Sequence, residues 1–208
     1  MTKEQTKEQT KKNSAVSSYW DARFSEAGYA YGEEPNVFLC ASCQGMAPGD
    51  ALSLCEGEGR NAVYLARLGF RVTAVDFSPV GLQKTKALAA RHGVEVNYLL
   101  ADMADFDLGS ARWDLVVSIF AQPPSAIRQR LYRQLEQSLR PNGALILETK
   151  ADVDATSEDR YPGLAILREE IAPLSLSFGE EKEHQLNEGP YHSGLQRTVQ
   201  IVAYKRTQ

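Results

Sequence analysis

The segment Leu52-Ser53-Leu54-Cys55-Glu56-Gly57-Glu58-Gly59-Arg60-Asn61 sets two glycines one residue apart between a short apolar run and the helical pattern that begins Ala62-Val63-Tyr64-Leu65-Ala66. Glycine admits the left-handed backbone that a tight turn needs, so the pattern predicts a strand, a turn and a helix opening in direct succession. A second apolar run, Arg71-Val72-Thr73-Ala74-Val75, ends in the carboxylate of Asp76. This is the outline of a nucleotide-binding βαβ unit, in which an acidic side chain closing the second strand meets the two hydroxyls of a ribose.

Glu56 decides which nucleotide. A fixed carboxylate at the end of the first strand repels a pyrophosphate and attracts a ligand that carries positive charge. S-adenosylmethionine has an ammonium, a sulfonium and a ribose, and no phosphate. The loop therefore reads as a methyl-donor site. As a literal Gly-x-Gly-x-x-Ala pattern (Gly57, Gly59, Ala62) it also fits a dinucleotide, but nothing later in the chain repeats the unit for a second mononucleotide.

At 208 residues and 43% hydrophobic content the chain suits one domain with a sizeable core. A net charge of −4 argues against a polyanion-binding surface, so nucleic acid is not an expected partner. No apolar run approaches a membrane span, and the polar N-terminus lacks the apolar core of a signal peptide; a cytoplasmic protein is expected. Residues 1–14 read as a disordered polar tail, their start repeating Thr-Lys-Glu-Gln almost without apolar content. Residues 15–208 read as a single domain that opens with an aromatic segment: Tyr19, Trp20, Phe24, Tyr29 and Tyr31 crowd before Gly32-Glu33-Glu34-Pro35. These rings serve either as core or as a lid over the ligand, where cation–π attraction to a sulfonium is available. A short helix is expected from Asn36 to Ser42, with Val37, Phe38, Cys40 and Ala41 as its apolar face.

Beyond Asp76 the chain alternates as an α/β fold does. Ser78-Pro79 supplies a cap and a first-turn proline for the next helix. Strands are expected at Glu95–Leu100, Trp113–Phe120 and Ala144–Glu148, with a helix from about Ser125 to Leu139 and a turn at Arg140-Pro141-Asn142-Gly143. Residues from about Ala151 to Gly163 read as a mobile loop. One helix (about Leu164–Ile171) and two late strands, roughly Leu174–His184 and Gly194–Tyr204, complete the chain.

With these motifs in place, the chain resembles the class I S-adenosylmethionine-dependent methyltransferases, and among them the small bacterial branch related to tellurite-resistance and thiopurine methyltransferases. The resemblance rests on Glu56-Gly57-Glu58-Gly59, Asp76-Phe77-Ser78, Ala101-Asp102-Met103, Asp114-Leu115-Val116-Val117 and Leu139-Arg140-Pro141-Asn142-Gly143. It implies a Rossmann-like, seven-stranded, mostly parallel sheet with helices on both faces and an antiparallel C-terminal hairpin. It implies the following roles toward the donor. Gly57 and Gly59 admit its methionine end, Glu56 receives its ammonium, and Asp76 accepts the ribose hydroxyls. Phe77 flanks the adenine, Asp102 takes the exocyclic amine and the Met103 amide meets a ring nitrogen. Asn61, Ser118 and Tyr31 complete the expected donor contacts, with S-adenosylhomocysteine as product. A small-molecule acceptor and a monomer or weak homodimer are expected.

The chain departs from those relatives after the fourth strand, where Phe120-Ala121-Gln122-Pro123-Pro124 stands in place of a histidine before Leu-Pro. Gln122 cannot act as a base near neutral pH, so it would orient an acceptor. Tyr191 and His192 near a late turn are the other candidates to face the acceptor, while His92 and His184 read as solvated. A soft, already anionic nucleophile (a thiolate, or a selenium or tellurium oxyanion) needs no base and suits this site. Oxygen or nitrogen methylation of a small metabolite, and a non-enzymatic donor-binding module, stay open as alternatives. Cys40 and Cys43 read as helix packing residues, Cys55 as a core residue inside the first strand, and no metal site is expected.

Overall fold

The computed structural model describes residues 18–151 and 161–206. The expected polar tail and most of the expected loop after Ala151 lie outside them. Seven strands form one sheet in the order β3-β2-β1-β4-β5-β7-β6. β1 (Asp50–Leu54), β2 (Arg71–Asp76), β3 (Asn97–Leu100), β4 (Trp113–Ile119) and β5 (Leu139–Lys150) run parallel. β7 (Ser193–Tyr204) enters antiparallel to β5, and β6 (Ser175–Asn187) pairs with it as the outer arm of a hairpin.

Period-two alternation sends neighbouring residues of each central strand into different cores. Ala51, Leu115 and Ile146 pack on one side with Leu39, Ala62, Leu65 and Leu88. Leu52, Val116 and Leu145 pack on the other with Leu131, Leu135 and Leu167. The first side is thus covered by α2 (Val37–Ser42), α3 (Arg60–Arg67) and α4 (Pro79–His92), and the second by α5 (Ser125–Tyr132), α6 (Leu135–Ser138) and α7 (Leu164–Glu170). Residues 18–24 are helical and form α1.

Four local expectations are corrected. The single helix expected over Ser125–Leu139 is two, broken at Arg133 and Gln134, and Leu139 already belongs to β5. The expected turn at 140–143 lies within β5 as a bulge: Trp113 pairs with Leu139 and Leu115 with Ala144, so four residues oppose Asp114 alone, with Asn142 at φ +64°. The apolar face assigned to α2 is displaced, since Val37 and Ala41 are exposed and Leu39 is the fully buried residue. Cys55 lies past the end of β1 with φ +51° rather than inside the strand.

Candidate functional site

The carboxyl ends of β1, β4 and β5 open on a cavity of about 1100 Å³, the size that takes a nucleoside-type ligand with a small companion. The glycine loop supplies Cys55, Glu56, Gly57 and Glu58, and the first turn of α3 adds Arg60 and Asn61. Phe120 and Gln122 come from the segment after β4, and Lys150 from the end of β5. Tyr191 and His192 come from the β6–β7 turn, and Tyr19, Trp20, Arg23, Phe24 and Tyr31 from the N-terminal segment. Cys55 and Phe120 both hold positive φ without being glycine, at +51° each. Strained backbone of this kind gathers where a site fixes it.

Glu56 is buried beneath the loop. Its Oε1 accepts the main-chain N–H groups of Asn61 at 3.1 Å and Ala62 at 2.9 Å, and Oε2 is hydrogen-bonded to the Ser53 hydroxyl. It thereby serves the unpaired amides at the start of α3. Burial pushes its carboxyl up to about 7 despite these bonds and the nearby Arg60 charge. Asp76 is equally engaged: Oδ2 accepts the Gly57 amide at 2.9 Å and Oδ1 that of Ser78 at 2.8 Å. Glu58 accepts the Ala30 amide at 2.7 Å and pairs with Lys84 at 2.7 Å, tying the loop to α4 and to the N-terminal segment.

The two loop glycines differ in purpose. Gly57 lines the cavity with Phe24 against it. Gly59, at φ +99°, caps α3, and a Cβ there would stand 2.7 Å from Thr85 Cα on α4. Gly59 therefore serves helix packing rather than ligand approach, as the third glycine of a dinucleotide loop would.

On the other side of the cavity lies a buried polar network that sequence reasoning missed. Arg60 Nη2 donates to Glu188 Oε2 at 2.7 Å, and Asn36 Nδ2 bridges Glu188 (2.9 Å) and Glu148 (2.7 Å). Asn36 also donates its amide to Asn61 Oδ1 at 3.0 Å while its own Oδ1 caps α2 through Leu39. Thr198 and Gln200 donate to Glu148 at 3.1 and 2.7 Å. His184, expected in solvent, stands 3.0 Å from the Thr198 hydroxyl and 3.6 Å from Glu148 at the edge of this network. The only sequence trace of the network is polar residues (Arg60, Glu148, Gln200) at positions where strand or helix pattern calls for burial.

His192 lines the same wall, its ring centroid 4.3 Å from Phe120 and 4.5 Å from Tyr31. Burial, then the charges of Arg60 and Lys150, push it down to about 3, so the imidazole is neutral. The turn that carries it clasps the N-terminal segment: Tyr191 N donates to Ala30 O at 3.2 Å, and Arg23 lies 3.6 Å over the Tyr191 ring.

Of the residues singled out from the sequence, Glu56, Gly57, Asn61, Tyr31, Gln122 and His192 meet on this cavity. Asp76 lies directly beneath it, closed over by α1, whose Asp21 is bonded to the Ser78 hydroxyl and whose Phe24 packs on Gly57 and Gly81. Phe77 is half-buried beside it. Gly59, in the packing of α3 on α4, is outside the cavity lining as Asp76 and Phe77 are, and three more residues lie farther from it. Met103 is a core residue, and Asp102 is exposed, its Oδ1 closing a turn on the Ala104 amide at 2.8 Å. Ser118 faces the interior, 3.3 Å from the Tyr132 hydroxyl. Among the described residues no cluster of potential metal ligands is present, and no helix is long and apolar enough to cross a membrane.

Comparison with known proteins gives the same outline. Residues 51–143 match the family model of the methyltransferase domain. A 107-residue stretch is 27% identical to the 2-heptyl-1-hydroxyquinolin-4(1H)-one methyltransferase of Mycobacteroides abscessus, covering 50% of this chain and 47% of that relative. The chain thus spans about half the length of the curated relative it matches. Among solved structures, the fold is similar to that of the N-methyltransferase NodS from Bradyrhizobium japonicum in complex with S-adenosyl-L-homocysteine, with TM-score 0.71, 14% identity, and 92% of this chain and 99% of that one covered. It is similar also to TehB from Haemophilus influenzae, with TM-score 0.67, 16% identity, and 81% and 61% covered.

Proposed function

We propose that this chain, a class I S-adenosylmethionine-dependent methyltransferase by its domain and fold, moves the donor's methyl group directly onto a small molecule held in the cavity beside Phe120 and His192. The observation that carries the reading is the convergence of Glu56, Gly57 and, beneath them, Asp76 at the carboxyl ends of β1 and β2. This is the place where open α/β sheets bind ligands. The residues fit the donor. A carboxylate offers about four lone-pair sites, and Asp76 spends two on Gly57 and Ser78, leaving capacity for ribose hydroxyls. Glu56 lies where an ammonium would restore its charge.

The chemistry asks little of the protein beyond alignment. The acceptor's lone pair forms the new bond to the methyl carbon as the carbon–sulfur bond breaks, and that bonding pair stays on sulfur as S-adenosylhomocysteine. Holding the two reactants in line supplies several kcal/mol. Neither acceptor-end candidate named from the sequence takes a proton readily: Gln122 cannot, and the His192 imidazole is pushed down to about 3. An acceptor that arrives anionic suits this, a thiolate or a selenium or tellurium oxyanion among them. The reading includes a cytoplasmic protein, active as a monomer or weak homodimer, with no nucleic acid involved. Calorimetry with S-adenosylhomocysteine tests the donor site, with binding expected. A panel of thiol, selenite, tellurite, phenol and amine with labelled donor tests the acceptor. Tight donor binding without turnover on any of them would point to a non-enzymatic donor-binding module.

A further inference from the structure

On the wall shared by Arg60 and His192, two buried nitrogens, Arg60 Nη1 and His192 Nδ1, have no hydrogen-bond partner among the described residues. Each side chain is 7% exposed, and each lines the cavity. A buried polar group left unpaired costs about 1–3 kcal/mol, and a charged one more, so two on one cavity point to a ligand that completes them. Two cations, Arg60 and Lys150, line the cavity here, whereas the carboxylates Glu188 and Glu148 stand behind its lining. The Glu188 carboxylate that pairs with Arg60 Nη2 is shared with Asn36 Nδ2 and with the Val37 amide at 3.1 Å. Lys150 lines the same cavity, and its charge and that of Arg60 both act on His192. The acids of the glycine loop stand at the donor end, Glu56 for the ammonium and Glu58 paired with Lys84.

We infer that this wall is an oxyanion subsite for the acceptor, with the Arg60 guanidinium as its charged anchor, His192 as a hydrogen-bonding partner, and small aromatic carboxylates as the ligands it takes. Calling the ligand an acceptor rests on the methyltransferase reading. A guanidinium with one nitrogen unpaired is a strong carboxylate donor. The rings of Tyr31 and Phe120 that flank His192 supply the flat apolar surface that an aromatic acceptor fills and a bare inorganic oxyanion does not. Arg60 opens α3 beside the glycine loop, and the acceptor side is marked by its companions on this wall: Lys150 ends β5, Phe120 follows β4 and His192 comes from the β6–β7 turn, whereas Glu56 and Asp76 stand at the ends of β1 and β2.

The test is calorimetry on the full chain with benzoate, benzamide and selenite as probes, each titrated with and without saturating S-adenosylhomocysteine. Benzoate is expected to bind at least tenfold more tightly than benzamide, beside bound S-adenosylhomocysteine. Arg60→Lys and Lys150→Met are each expected to lower that preference several-fold; Lys150 is half-buried at the end of β5, so its variant guards against a folding failure at the buried Arg60. Equal binding of benzoate and benzamide would overturn the subsite. Selenite binding in preference to benzoate would overturn the aromatic-carboxylate class. Displacement of S-adenosylhomocysteine by benzoate would assign these nitrogens to the donor's carboxylate and overturn the inference. Absence of S-adenosylhomocysteine binding would instead strike the methyltransferase reading, with the benzoate preference still read from the titrations without it.

Discussion

The Asp76 carboxylate joins the end of β2 to the glycine loop, its Oδ2 accepting the Gly57 main-chain N–H at 2.9 Å. One side chain thus sets the height of the loop above the sheet and presents its remaining lone pairs upward. Gly57 in turn carries Phe24 of α1 on its open side, so donor site, loop and covering helix are stacked in one column.

Asp76→Ala is expected to weaken S-adenosylhomocysteine binding by about 1.5–3 kcal/mol, the range for a hydrogen bond to a charged group. Because the carboxylate also satisfies two buried amides, the variant should lose about 1–3 kcal/mol of stability, read as a lower melting temperature. Calorimetry on the folded fraction separates the two effects. Unchanged affinity there would remove Asp76 from the donor site.

The succession of strands and helices, the loop and the place of Asp76 were legible because each depends on local pattern: apolar period, glycine spacing, a carboxylate at a strand end. The break of the helix at Arg133 and Gln134 was not, because Leu131 and Leu135 keep helical spacing straight across it and both remain in the core. Ser118 resembled a site residue by its place late in β4, yet alternation turns it inward to Tyr132. The Arg60, Asn36, Glu148 and Glu188 network joins positions as much as 152 residues apart, and no periodicity encodes such a meeting.

Glu56 gives a pH dependence with a definite sign. Its carboxyl is raised from 4.5 to about 7 by burial, so the folded state holds the proton more tightly than the unfolded chain. The stability this contributes is complete below pH 4.5 and is lost as pH rises through about 7, with a slope of at most about 1.4 kcal/mol per pH unit. Glu56→Gln should flatten that part of the stability–pH curve. An arriving ammonium favours the ionised form, so donor binding near pH 6 should release a proton and affinity should climb toward neutrality. Binding enthalpies that do not vary with buffer ionisation heat would contradict this.

Phe24 and Asp21 hold α1 over the ribose end of the site, the first against Gly57 and Gly81, the second on the Ser78 hydroxyl. With Asp76 only 4% exposed, the donor reaches it only when this helix shifts. Phe24→Ala is expected to speed both association and dissociation of S-adenosylhomocysteine several-fold in stopped-flow measurements, the dissociation rate more. Rates equal to those of the parent chain would show that α1 is fixed packing and not a lid.

Gly189 is where the acceptor side is clasped to the N-terminal segment. It holds φ +98°, and a Cβ there would stand 2.3 Å from Gly32 N and 2.4 Å from Tyr31 C. Both neighbours are main chain, so the clash is not relieved by a rotamer change; the turn must move away from residues 31 and 32. Gly189→Ala should therefore separate Tyr31 from His192, now 4.5 Å apart between ring centroids, and break the bond from Tyr191 N to Ala30 O. A strained backbone of this type costs about 1–3 kcal/mol before the displacement is counted. The expected result is a lower melting temperature together with weakened binding of acceptor-site probes, while S-adenosylhomocysteine affinity changes less, since Glu56 and Asp76 lie on other elements. Equal losses at both ends would show that the cavity responds as one unit and that the clasp does not set the acceptor wall separately.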